Sequence, residues 1–187
     1  MPKLPKIPYK LLEKNNKEKS YCMNLSDKLR ILAKTTVSFL VRDNVDTAEK
    51  NFPAMEKLFK QIQTKLRQNP YLYSVTPINY GLEEYIEALL VWSYMNNKPM
   101  PTIAKLKVTP ELYLGALSDM TGELVRLARK NEQQAKSIHD YVAHIYALII
   151  PVSITRNSNL RHKLETIGNN LKKIEGIIYD LKLRDKI

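Results

Sequence analysis

From about residue 26 onward, apolar positions recur at spacings of three and four, the period of a helix with one buried face. Over SDKLRILAKTTVSFLVRD, the residues Leu29, Leu32, Val37, Leu40 and Val41 share a face; Ser26 is placed to cap the start and Asp43-Asn44 to end it. A second helix is predicted over about 46–68, with a stripe of Phe52, Met55, Leu58, Phe59, Ile62 and Leu66. Pro53 either kinks it or marks its true first turn. Residues 69–81, with two prolines and one glycine, read as a long connection, followed by a helix over about 82–96. Thr109-Pro110-Glu111 combines a capping hydroxyl, a proline at the first helical position and an acid in the first turn, opening a helix that reaches about Lys130. Another runs from beyond Asn131 to Ile150, where Pro151 ends it.

The last helix, capped by Asn157 or Ser158, spans Leu160 to about Leu183. In it Leu160, Leu164, Ile167, Leu171, Ile174, Ile178 and Leu181 alternate steps of four and three, a heptad seam. Such a seam is either the core edge of a bundle or a contact with another subunit. No segment alternates convincingly with period two. The pattern therefore predicts an all-α protein, an antiparallel helical bundle of six to seven helices over residues 25–187, behind a basic N-terminal tail or helix start at residues 1–24.

Composition sharpens this in three ways. Five glycines in 187 residues argue against a turn-rich β protein. A single cysteine, Cys22, excludes an internal disulfide framework and any cysteine-cluster metal site, as expected of a cytoplasmic protein. Thirty Lys and Arg against nineteen Asp and Glu leave +11, with a pI near 9.6, the charge footprint of a nucleic-acid partner. The excess sits at the two ends: +4 in residues 1–20 and +4 in residues 156–187. No export signal is visible, and the longest uncharged apolar run, Ile145 to Val152, is far too short to span a membrane.

The chemistry that remains is acidic. There is no glycine-rich phosphate loop, no His-Glu-x-x-His and no Gly-x-Ser-x-Gly. His139 and His144, five apart, do not share a helix face, and they and His162 read as surface or structural residues. In LEEYIEA, Glu84 and Glu87 are neighbours on a helix surface, opposite Leu82, Ile86 and Leu89. That helix is apolar nearly all round, so its carboxylates should face protein or an enclosed cavity. Asp119 and Glu123 form a second pair, flanking the core face of the next long helix, beside a strip of Gly115, Ser118 and Gly122 that lets another helix approach. Four carboxylates on two neighbouring helices can hold Mg²⁺ or Mn²⁺. The competing reading is ordinary salt bridging, with Arg126 and Lys130 one and two turns beyond Glu123.

These segments carry a resemblance. LYLGALSDMTGELVRLARK, with Asp119, Thr121, Gly122, Glu123 and Leu124, is similar to the most recognisable helix of the translin family. VTPINYGLEEYIEA resembles its Glu-Tyr-x-Glu-Ala helix, and LETIGNNLKKIEGIIYDLKLRD resembles its closing helix. The likeness covers roughly residues 25–185 and is strongest to the translin-associated factor X branch, in the form of a shorter, single-component archaeal version. It implies helical protomers closed into a hollow, usually octameric homo-oligomer that binds single-stranded RNA or DNA. It further implies a Mg²⁺-dependent endoribonuclease acting inside the shell, whose catalytic and metal-binding carboxylates fall on Glu84, Glu87, Asp119 and Glu123. Glu83, beside Glu84, leaves that register open by one residue. The alternative is a non-catalytic single-strand-binding oligomer in which the acids only make salt bridges.

Overall fold

The computed structural model describes residues 8–151 and 159–184. Six long helices, α1 (Tyr9–Val41), α3 (Phe52–Gln68), α4 (Thr76–Met95), α6 (Pro110–Lys130), α7 (Ala135–Ile149) and α8 (Asn159–Leu183), are joined by short connections that include α2 (Val45–Glu49) and α5 (Ile103–Leu106). No strand occurs among the described residues, so the all-α expectation holds. Pro53 lies in the first turn of α3, and the Thr109 hydroxyl accepts from the Leu112 N–H at 3.3 Å to cap α6. The cap expected at Asn157 or Ser158 lies outside the described residues.

Two sequence expectations need correction. Ser26 is not an N-cap. No proline or glycine interrupts residues 9–41, and Cys22 and Leu25 extend the buried face upstream, so α1 passes through Ser26 without a break. The buried Ser26 hydroxyl instead donates toward the carbonyls of Pro77 and Ile78, at 2.9 and 3.0 Å, and accepts from the Gly81 N–H. Residues 69–81 are not one long loop either. A 3₁₀ turn over Pro70–Ser74 is followed at once by α4, with Pro77 in its first turn, where a missing N–H costs nothing. Gly81 lies inside α4 because a side chain there would collide with the Ser26 carbonyl and hydroxyl oxygens. Its smallness serves helix–helix approach, not a turn.

Helix α4 divides the core. Leu82, Tyr85 and Ala88 join a cluster with α1 and α3, while Ile86, Leu90 and Val91 join a second with α6, α7 and α8. This is why its sequence is apolar nearly all round. On α8, Ile167, Ile174 and Leu181 are buried, and Leu164, Leu171 and Ile178 are half-buried against the same core, so six of the seven seam residues supply the bundle core.

Successive long helices run antiparallel with one exception. Thr36 of α1 meets Asn51 and Met55 at the start of α3, while Glu18 meets Asn69 at its end. Tyr146 of α7 lies by Gly168 of α8 and His139 by Glu175, again in opposite directions. Helices α4 and α6 share a direction, because residues 96–109, with α5, carry the chain back before α6 begins. Glu83 accordingly lies by Gly115, and Tyr94 lines a cavity with Leu127, one end of each helix level with the same end of the other.

Candidate functional site: an acidic cleft between α4 and α6

Parallel helices with acids at nearly equal spacing bring those acids level. Glu84 and Glu87 of α4 and Asp119 and Glu123 of α6 line one cleft of about 730 Å³, closed by Lys34 of α1 and Arg42 just beyond its end, Arg126 of α6, and Thr166 and Asn170 of α8. Glu83 points elsewhere, to a neighbouring cleft, so the geometry sets Glu84 beside Glu87. All four acids singled out in the sequence are therefore brought to one place.

Three of them are paired with cations. Glu84 meets Lys34 at 2.9 Å. Glu123 meets Arg126 at 2.9 Å, as the spacing suggested, whereas Lys130 turns to Asp43 and the Val41 carbonyl. Asp119 accepts from the Lys163 ammonium, which also donates to Glu83 at 2.6 Å. Among the described residues Glu87 has no ion pair. It is 7% exposed, and burial first, then the carboxylates of Glu84, Asp119 and Glu123, push its pKa up to about 9. Glu87 is thus a neutral acid at pH 7. Burial also raises Glu123, with Arg126 opposing the rise and Glu84 and Asp119 adding to it. Burial pulls the Lys163 ammonium down, but its hydrogen bonds to Asp119 and Glu83 outweigh that and leave it raised.

The donors are all carboxylate oxygens, the chemistry a hard divalent ion prefers. They do not form a ready-made cage: among the described residues no three His, Cys, Asp or Glu side chains are gathered closely enough to hold a metal. Lysines and an arginine occupy the charge-balancing role, so a cation entering the cleft competes with Lys34, Lys163 and Arg126.

Sequence reasoning missed the α1 and α8 walls. Lys163 and Asn170 are placed by α8 settling on the small-residue strip of α6: the Ser118 hydroxyl donates to the Lys163 carbonyl at 2.6 Å, and the Asn170 amide donates to Thr121 Oγ1 at 2.9 Å. The available signal was that strip, which announces a close helix without saying which. Lys34 had none, since its partner Glu84 lies 50 residues away across another helix.

Long helices packed in parallel and antiparallel pairs, without a strand among the described residues, form an all-α bundle of the translin type. Residues 16–185 match the model of the translin family, and the chain belongs to that family. No curated protein matches it. Among solved structures it is similar to apo-NeC3PO, at 23% identity and a TM-score of 0.83, with 94% of this chain and 98% of that one covered. It is also similar to AfC3PO, at 20% identity and a TM-score of 0.83, covering 94% and 95% of the two chains. A structure of AfC3PO in complex with duplex RNA aligns at 21% identity with a TM-score of 0.82, over the same shares. No helix among the described residues is long and apolar enough to cross a membrane.

Proposed function

We infer that the protein is a metal-dependent endoribonuclease that binds and cleaves single-stranded RNA as a homo-oligomeric shell. The observation that carries this reading is the convergence of Glu84, Glu87, Asp119 and Glu123 on one cleft, with a buried Glu87 that has no cation partner among the described residues. Salt bridging accounts for three of these acids but not for the fourth. A Mg²⁺ or Mn²⁺ ion bound there would neutralise charge developing on a phosphodiester and lower the pKa of an attacking water. Asp119, Glu84 and Glu123 would hold it after releasing their cations, and Glu87 after losing its proton. Lys34, Arg42 and Arg126 at the rim would then face the phosphates of the strand. RNA as substrate is supported by family membership, by the likeness to AfC3PO in its duplex RNA complex, and by the +11 charge. Assembly is supported by exposed apolar side chains at Tyr9, Leu11 and Leu12 of α1, Leu148 and Ile150 at the end of α7, and Tyr179 and Leu183 of α8.

A second reading, an RNA-binding oligomer without catalysis, is favoured by the absence of a preformed three-carboxylate group. One experiment separates the two. Labelled single-stranded and duplex RNA are incubated with wild type and with Glu123→Gln, in EDTA and in Mg²⁺. Glutamine keeps size and helix propensity but removes the anionic oxygen. Cleavage by wild type in Mg²⁺ only, lost in the variant while RNA binding persists, supports the nuclease. Full Mg²⁺-dependent cleavage by the variant removes Glu123 from the site, and no cleavage by wild type leaves the binding oligomer.

A further inference from the structure

The acidic cleft has a neighbour. A second cleft of about 760 Å³ adjoins it, and Asp119 and Thr166 line both, with Lys163 and its partner Glu83 on the wall of the second. Leu66 and Leu82, both buried, and Leu112 give the second cleft an apolar base, and Tyr73 and Tyr80, each nearly half exposed, stand at its open side. The Asn79 side-chain amide donates to the Tyr73 carbonyl at 3.3 Å and fixes the turn carrying Tyr73 against the helix carrying Tyr80. Two further cations line the same cleft, Arg67 and Lys107, and neither has a carboxylate partner among the described residues.

Lys107 is held in a costly place. It takes φ 53°, ψ 47° at the end of α5, the left-handed region that favours glycine. The Gln63 side chain donates to the carbonyl of Leu106 at 2.6 Å and pins this turn to α3. A lysine where glycine would relax the backbone, on the wall of a cleft that two tyrosines also line, suits a site that takes a flat ring joined to a phosphate.

We propose that this second cleft receives an unpaired nucleobase of the RNA strand, stacked on Tyr73 and Tyr80, with Arg67 and Lys107 on the adjoining phosphates, next to the strand segment lying in the acidic cleft. This rests on the reading of the protein as an RNA binder. A base buried there cannot be paired, so the cleft selects single strands over duplex.

The test is RNA binding by the full chain in EDTA, where nothing is cleaved, with a labelled oligouridylate and an abasic oligomer of equal length. Wild type should bind the base-bearing strand at least about fivefold more tightly, since stacking is worth that much or more for each base. Tyr73→Ala/Tyr80→Ala should lose this preference, and Tyr73→Phe/Tyr80→Phe should keep it. Lys107→Gly should melt no lower than wild type yet bind RNA more weakly, with a salt dependence shallower by about one unit. A double alanine variant that still prefers the base-bearing strand as wild type does overturns the proposal. So does unchanged binding by Lys107→Gly. Wild type that binds neither strand removes the functional reading itself, a result distinct from either of these.

Discussion

Replacing Glu87 with glutamine should stabilise the metal-free protein, and by an amount that depends on pH. The folded protein holds the Glu87 carboxyl protonated to about pH 9, while in the unfolded chain it ionises near 4.5. A pKa raised on folding favours the fold below the unfolded value, and that contribution is lost as pH rises from about 4.5 toward 9. At pH 7 the mismatch is about 2.5 pH units, or about 3 kcal/mol at 1.36 kcal/mol per unit; at pH 5 it is under about 1 kcal/mol. Glutamine mimics the neutral acid and has no proton to lose. For a chain of this size, about 2–4 °C per kcal/mol makes Glu87→Gln melt about 6–12 °C above wild type at pH 7 and nearly level with it at pH 5. Circular dichroism melts of both proteins at pH 5, 6, 7 and 8 in EDTA read this directly, and titrating groups that do not interact with Glu87 cancel in the difference. Saturating Mg²⁺ should then raise the wild type and leave the variant where it was. A difference that stays constant with pH, or a variant that melts lower at pH 7, would refute the reasoning.

Gly81→Ala should destabilise by about 1–3 kcal/mol, because its new carbon meets backbone and hydroxyl oxygens of Ser26 that cannot move aside; urea denaturation checks it. Ser26→Ala should cost a similar amount, since the Gly81 N–H and two α4 carbonyls lose a buried partner; if it unfolds at the wild-type urea concentration, the α1–α4 clasp is not what holds the helices together. Light scattering at micromolar concentration should give a mass several times 21.7 kDa, and a monomer would leave the exposed apolar ends of α1, α7 and α8 unexplained. RNA affinity should fall steeply between about 50 and 200 mM salt, and a flat response would mean that the basic excess does not face phosphates.

The helices that could be read from the sequence are those whose signals are local. Thr109-Pro110-Glu111 opens α6 with chemistry contained in three residues, and the two-sided apolar pattern of α4 reports its place between two cores. The errors fall where a side chain's partner is remote. Ser26 has the composition of a cap, but its partners are the carbonyls of Pro77 and Ile78, 51 and 52 residues on. Gly81 and Pro77 look like loop residues until α1 is laid against them, after which one is a packing contact and the other a first-turn proline. The same division runs through the site. The spacing of Glu84 with Glu87 and of Asp119 with Glu123 can be read along single helices. That the pairs face each other depends on α4 and α6 sharing a direction, which the crossover of residues 96–109 sets and no periodicity reveals. Which of Glu83 and Glu84 faces the acidic cleft is likewise set from afar, by Lys163, which holds Glu83 at the neighbouring cleft from a helix 80 residues away.

That division of labour between the two adjacent glutamates bears on how the cleft works. Successive residues on a helix point about 100° apart, and Glu83 and Glu84 accordingly line different clefts. Glu83 and Asp119 share one ammonium, and Asp119 lines both clefts. If Asp119 turned to a divalent ion, Lys163 would still have Glu83 to hold its charge, so its release from Asp119 leaves no ammonium unpaired. Lys34 and Arg126 differ: each is mostly exposed, and water takes up its charge when it lets go. The three cations that compete with a metal can thus all be displaced without stranding a charge. The acid with no cation, Glu87, is the one whose proton must leave. If this cleft takes a divalent ion as proposed, binding would cost mainly one deprotonation, and an activity that depends on it should rise with pH more than it responds to the breaking of salt bridges.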